Sequence, residues 1–148
     1  MIVTFCGHSD VSDADSVRCW LEDEVRKAIR DGVEMFLLGG YGAFDRMAAG
    51  VVRSLKAEYP HIQSILVLPY LDRKVDSTGY DGTTYPPLET VPKRYAITHR
   101  NRWLVDNSDL VIAYVSHGWG GAATTLRYAF GKKKRIINYD EHFLVEKI

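Results

Sequence analysis

The sequence predicts an α/β fold: a three-layer sandwich with helices on both faces of a mainly parallel, five-stranded sheet. Three observations support it. Strand-like and helix-like patterns alternate along the chain, the order that produces parallel strands joined by crossover helices. The strand runs are apolar with few polar alternates, as expected where a sheet is covered on both faces. Glycine-rich turns follow several of these runs directly, at the edge where the helix-leading loops of a parallel sheet collect.

The elements follow in order. Ile2 to Cys6 is a short β-branched apolar run, and the turn after it offers Ser12, Asp13 and Asp15 as helix caps. Val17, Trp20, Leu21, Val25, Ala28 and Ile29 recur at helical spacing until Gly32 supplies a stop. Met35 to Leu38 is the second strand. The helix after it carries the stripe Ala48, Val51, Val52, Leu55 and Tyr59, and Pro60 ends it. Ile65 to Leu68, Leu110 to Val115 and Arg135 to Asn138 are the remaining strands. Helices are expected over Arg94 to Asn107 and about Ala122 to Lys132, with the basic run Lys132 to Arg135 read as a helix end that suits the negative end of its dipole. Between Pro69 and Pro92 no period persists, and Tyr70, Tyr80 and Tyr85 suggest a covering flap. A short tail is expected over residues 139–148.

With 148 residues, the chain fits one domain spanning 1–148. Hydrophobic residues make up 46% and charged residues 26%, which excludes a disordered chain. Lys and Arg total 19, as do Asp and Glu, so no global charge steers the protein to nucleic acid or anionic lipid, and any anion site must be local. Cys6 and Cys19 lack the spacing of a redox pair or zinc set and read as small core residues. The opening residues do not form a signal peptide, and no segment approaches the roughly 20 apolar residues needed to cross a bilayer, so a cytoplasmic location with no membrane partner is expected. His61, His99, His117 and His142 show no metal-ligand spacing; no metal and no cofactor are expected.

The chemistry should lie in the turns. In "LLGGYGAFD", Gly39, Gly40 and Gly42 let backbone N–H groups face an anion, the next helix adds its positive end, and Asp45 is either an N-cap or a polar ligand contact. A plain tight turn is the alternative. "SHGWGGAATTLRYA" repeats the arrangement after a later strand, with Gly118, Gly120 and Gly121 in the turn and hydroxyls from Thr124 and Thr125 near the helix start. Arg100 and Arg102 point about 200° apart on a helix. Arg102 can pair with Asp106, so Arg100 is the candidate for binding phosphate or carboxylate. In "GHSD", Gly7 permits close backbone approach, and His8 can hydrogen-bond a ligand or carry a proton.

Together, "TFCGHSD", "LLGGYGAFDRMAA", "LKAEYPHIQSILVLPY", "RNRWLVDNSDLVIAYV" and "GWGGAATTLRYA" resemble the SLOG superfamily, most closely its YpsA-like branch of small stand-alone proteins. The resemblance implies a Rossmann-like fold, a site built from edge loops and a nucleotide-derived ligand, and homo-oligomers are common among such relatives. The relatives include DprA and the Lonely Guy phosphoribohydrolases. Against the latter, Arg100 matches the arginine before a Ser-Asp step, and Ser108 and Asp109 match that step. The stretch Trp119 to Arg127 matches the PGGxGTxxE motif, but Leu126 and Arg127 fall where those enzymes carry acids. A carboxylate is what an oxocarbenium-like transition state requires, and Asp45, Glu89 or Asp106 would have to supply it from elsewhere.

Binding is therefore the leading expectation. Phosphates would sit among Gly39, Gly40, Gly42, Gly120, Gly121 and Thr124, Arg100 would add charge-assisted bonds, and a tyrosine or Trp119 would stack on the base. Trp119 as a packed loop anchor stays open. The alternatives are a nucleotide N-glycosidase releasing free base, and a protein-interaction module with a vestigial site. A side chain at Gly40 is expected to block the anion space while leaving the protein folded.

Overall fold

The computed structural model describes residues 1–143. The strands are β1 (Ile2–Gly7), β2 (Met35–Leu38), β3 (Gln63–Val67), β4 (Gly82–Thr84), β5 (Leu110–Tyr114) and β6 (Arg135–Asn138). The helices are α1 (Ala14–Arg30), α2 (Gly42–Leu55), α3 (Ala96–Asp106) and α4 (Gly121–Gly131), with a single 3-10 turn, Lys93–Tyr95, leading into α3. All strand pairs are parallel, in the order β4-β3-β2-β1-β5-β6. The chain thus works outward from β1 to β4, then crosses back through α3 to place β5 on the other side of β1. Strand order reverses between β1 and β5.

Alternation along each strand sorts the core into two layers. Val3 and Phe5 of β1, Phe36 and Leu38 of β2 and Ile112 of β5 pack with Val17, Leu21 and Val25 of α1 and with Phe44, Ala48, Val51 and Val52 of α2. The intervening Cys6, Val111 and Ala113 face Ala123, Leu126 and Ala129 of α4 and Val105 of α3. Leu37 and Val67 meet Leu104 of α3. Phe36 is fully buried, and deleting a ring so placed costs about 3–5 kcal/mol.

The sheet has a sixth strand where the sequence showed no pattern. Gly82–Thr84 pairs with Ile65–Val67 at the sheet edge, and Asp81 fixes it there by accepting the Ser64 N–H at 2.8 Å. Three residues are too few to show a period. The Tyr70 hydroxyl donates to the Lys93 carbonyl at 3.1 Å, and Tyr80 packs against the core.

Local details correct several expectations. Gly32, at φ +102, ends α1 as the sequence implied, with the Val33 N–H donating to the Ala28 carbonyl. At the other end of α1, none of Ser12, Asp13 and Asp15 serves as a side-chain cap. Asp13 takes the N-cap position at φ 52 without a side-chain bond, and Ser12 turns to the Tyr114 hydroxyl. Cys19 is exposed rather than a core residue, whereas Cys6 is buried and its thiol is pushed well up by that burial. Arg102 does not pair with Asp106: the Asp106 carboxylate accepts the Tyr128 hydroxyl at 2.8 Å, and the Arg102 guanidinium lies over the Tyr128 ring.

Among the described residues no helix is long and apolar enough to cross a membrane, and no group of three or more His, Cys, Asp or Glu is placed to hold a metal.

Candidate functional site

A cleft of about 660 Å³ opens at the carboxyl ends of β1 and β5, where strand order reverses. Connections from neighbouring strands diverge at such a point, and the gap between them is the usual ligand crevice of an open parallel sheet. Gly7, His8, Asp45, Arg100, Trp119, Gly120, Gly121 and Thr125 all line it.

The floor is made by β1 and its turn. A Cβ on Gly7 would lie 2.3 Å from the Phe44 ring, so glycine here lets α2 close against the strand end. His8 accepts the Ser116 N–H at Nε2, 2.9 Å away, which ties the turns after β1 and β5 together and leaves the neutral ring its proton on Nδ1. Burial and the neighbouring His117 both lower the His8 pKa, which keeps that neutral form. The His8 ring stacks on His117 with centroids 3.7 Å apart, and His117 stacks on Trp119 at 3.8 Å. Trp119 is 72% exposed, so the stack ends in an indole face open to solvent.

Next to the stack is the start of α4. Gly120 has φ +92, and a Cβ on either Gly120 or Gly121 would meet nothing within 4 Å. The first N–H groups of a helix lack intrahelical acceptors and lie at its positive end. The threonines do not act as the sequence suggested. The Thr124 hydroxyl donates to the Gly120 carbonyl at 3.1 Å and the Thr125 hydroxyl to the Gly121 carbonyl at 2.9 Å. Their protons are thereby committed, and Thr124 faces the groove between α3 and α4 rather than the cleft.

Arg100 departs furthest from expectation. It is 2% exposed, not a solvent-facing arm. Its Nη1 donates to the carbonyls of Gly39 at 2.9 Å and Val67 at 2.8 Å, and its Nε donates to Asn101 Oδ1. The guanidinium lies under the Tyr41 ring and clamps the ends of β2 and β3. Asp45, in the first turn of α2, lies on the same side of Gly39: a Cβ on Gly39 would be 3.1 Å from Asp45 Oδ2 and 3.2 Å from Arg100 Nη2. Burial pushes the Asp45 carboxyl up to about 7, with Arg100 pulling the other way.

The remaining glycines of the first loop lie off the cleft. Gly40, at φ +77, would bring a Cβ 2.8 Å from Leu66, and Gly42, at φ +87, would bring one 2.9 Å from the Ser9 backbone. Gly39 and Gly40 border a separate cavity on the far side of Tyr41. A side chain at Gly40 therefore strains the backbone itself, which corrects the expectation that the protein would fold undisturbed. Ser108 and Asp109 lie at the amino ends of the strands, where Asp109 accepts the Ile2 N–H at 2.8 Å. Glu89 is exposed and, like Asp106, is absent from the cleft lining.

The sequence reading missed Asp10, Tyr41, Ile97, Asn101 and His117, which also line the cleft. Position within "GHSD" and "SHGWGG" was the available signal for Asp10 and His117. Nothing local marks Ile97 or Asn101, which reach the cleft because α3 lies over it.

A parallel α/β sheet with a cleft at its reversal point, lined by short turns and a helix start, defines a Rossmann-like protein. The YpsA family model, described as the YspA SLOG family, matches residues 8–79, so this stretch of the chain is similar to that family. The chain is 22% identical over 152 residues to UPF0398 proteins of Bacillus thuringiensis (strain Al Hakam) and Bacillus cereus (strain AH187), covering 93% of this chain and 81% of each relative. Among solved structures, DNA processing protein A from Helicobacter pylori, described with its single-stranded DNA binding mode, matches with TM-score 0.66 at 16% identity over 93% of this chain and 64% of that one. DprA from Streptococcus pneumoniae matches with TM-score 0.64 at 17% identity, and this chain covers 49% of its length. The Moco carrier protein from Chlamydomonas reinhardtii matches with TM-score 0.57 at 18% identity, over 93% of this chain and 74% of that one. These structural likenesses concern the fold.

Proposed function

We propose that the chain binds a nucleotide or nucleotide-derived small molecule in the cleft between β1 and β5. One observation carries this reading: a solvent-open indole face, backed by two stacked imidazoles, stands beside an uncrowded helix start. A planar base fits the first and a phosphate the second. Arg100, buried beneath the cleft and held to two carbonyls, contributes a fixed positive charge more than a flexible contact. Gly39, Gly40 and Gly42 support the site by shaping the β2 turn.

The test is retention. The purified chain is incubated with nucleotides, a single-stranded DNA oligonucleotide and cell extract, and retained species are identified by mass spectrometry. Retention of an intact nucleotide, lost in Trp119→Ala, supports the reading. Retention of the oligonucleotide alone would instead favour the activity described for the Helicobacter pylori protein. Failure to retain any of them would favour the protein-interaction alternative.

A second reading rests on Asp45. Of the three carboxylates considered as substitutes for the missing acid, it alone lines the cleft, and its pKa of about 7 leaves it partly protonated at neutral pH. A protonated carboxyl can donate its proton to the departing base as the C–N bond breaks, while water adds to the anomeric carbon and returns its surplus proton to the carboxylate, giving free base and ribose 5-phosphate. Release of base from a nucleoside monophosphate, abolished in Asp45→Asn while binding persists, would establish hydrolysis.

A further inference from the structure

Beyond Tyr41 and the Gly39–Gly40 backbone lies a second cavity of about 480 Å³, within the usual size range of small-molecule pockets. Its inner wall is apolar, built from Ala49 of α2 with Leu66 and Leu68 at the end of β3. Tyr80 closes one side, its hydroxyl 3.8 Å from where a Cβ on Gly40 would stand.

Its rim is cationic. Arg46 and Arg53 are seven residues apart on α2 and share a face, about two turns apart along the helix. Lys74 faces them from the segment after β3, and Asp76 is the one carboxylate in the lining.

The charges are not equally engaged. Arg53 Nη2 donates to the Thr78 carbonyl at 3.3 Å, and its guanidinium packs against Gly79, where a Cβ would lie 2.1 Å away. Asp76 accepts the Thr78 N–H at 2.9 Å, and hydrogen bonds from Thr78 hold its carboxyl below the usual range. Arg53 and Asp76 therefore brace the segment that forms the outer wall. Arg46 and Lys74 have no carboxylate partner among the described residues.

We propose that this cavity is a second ligand site for a small organic anion, separate from the cleft between β1 and β5. An apolar or aromatic body sits on Leu66, Leu68 and Tyr80, and one phosphate or carboxylate is held by Arg46 and Lys74. The proposal does not depend on what the cleft holds. An apolar wall lowers the local dielectric, so two unpaired cations at its rim attract an anion more strongly than they would on an open surface. The body supplies burial and the headgroup supplies charge, so neither alone should bind well.

Titration of the full chain, followed by calorimetry and amide NMR shifts, tests it with four probes: phenyl phosphate, benzoate, inorganic phosphate and benzyl alcohol. At least one of the aromatic anions is expected to bind at a single site, more tightly than inorganic phosphate or benzyl alcohol. Which one binds better identifies the headgroup. That affinity should fall at least tenfold in the exposed double variant Arg46→Gln/Lys74→Gln, weaken with added salt, and stay unchanged in Trp119→Ala. A far-ultraviolet circular dichroism melt confirms that both variants fold. Binding of neither aromatic anion at millimolar concentration, equal affinity in the double variant, or loss in Trp119→Ala alone would each overturn the proposal. Because Trp119→Ala affects only the cleft, failure here is distinguishable from failure of nucleotide binding there.

Discussion

Gly39, Gly40 and Gly42 follow β2 much as Gly118, Gly120 and Gly121 follow β5, yet a Cβ on any of the first three would meet protein within 3.2 Å, while at Gly120 and Gly121 it would meet nothing within 4 Å. The first turn is filled: Arg100 reaches across from α3 to its carbonyl, Leu66 lies beside Gly40, and the β1 turn presses on Gly42. The second is open because β5 stands at the reversal in strand order, where α4 and the turn after β1 lead away from each other. Glycine marks where a backbone needs freedom or close approach. It does not tell which neighbour, ligand or protein, makes that approach.

The sharpest way to break the contrast is at Arg100. Arg100→Met removes the donor shared by two buried carbonyls, and stability in urea is expected to fall by about 2–5 kcal/mol. A loss below about 0.5 kcal/mol would mean that the first turn holds itself together without the clamp.

Asp45 supplies the next effect, and its sign is fixed by the direction of its shift. The folded-state pKa of about 7 lies above the ordinary 3.8, so between those values the native state binds more protons than the unfolded chain. Burial of the neutral carboxyl is tolerated below about pH 4, and stability declines as pH rises from there to about 7. Asp45→Asn should flatten that decline in denaturant titrations across the range, and an unchanged slope would place the responsible group elsewhere.

Gly40→Val forces a β-branched residue to φ +77 and against Leu66, with an expected loss of about 1–3 kcal/mol. Trp119→Ala removes an exposed ring, so stability should stay within about 0.5 kcal/mol. Nucleotide retention, in contrast, should drop about tenfold, since stacking one base on an aromatic ring contributes about 1–3 kcal/mol. Smallest is Gly121→Ala. The position opens α4 in free space, and the change should raise stability by a few tenths of a kcal/mol, or about 0.4–1 at most. A clear loss there would show that the second turn is as constrained as the first.

Long apolar runs and glycine stops made most of the fold legible. Val17, Leu21, Val25 and Ile29 announced α1, and Met35 to Leu38 announced a strand covered on both faces. β4 was not legible, because Gly82–Thr84 carries no pattern and exists through Asp81 and the edge of β3. At the cleft, "GHSD" and "GWGGAATT" were readable as edge turns. The stacking of His8 on His117 was not, since the two residues lie on different turns and meet only when β1 and β5 pair. Arg100 was readable as special by the lack of an acidic partner nearby in sequence, but its partners proved to be backbone carbonyls rather than a ligand.

The sequence by itself determined the order of the helices and of every strand but β4, the side of the sheet on which helix-leading turns must gather, and the positions where the backbone could turn tightly. All of these follow from local period, propensity and residue shape. Only the tertiary structure decided that Arg100 would be buried across a separation of 61 residues, that Asp45 would be held near neutrality, and that Tyr41 would divide one anticipated hollow into two. Those outcomes depend on which distant surfaces come to lie against each turn, and solvation and charge at a residue are set by that company rather than by its neighbours along the chain.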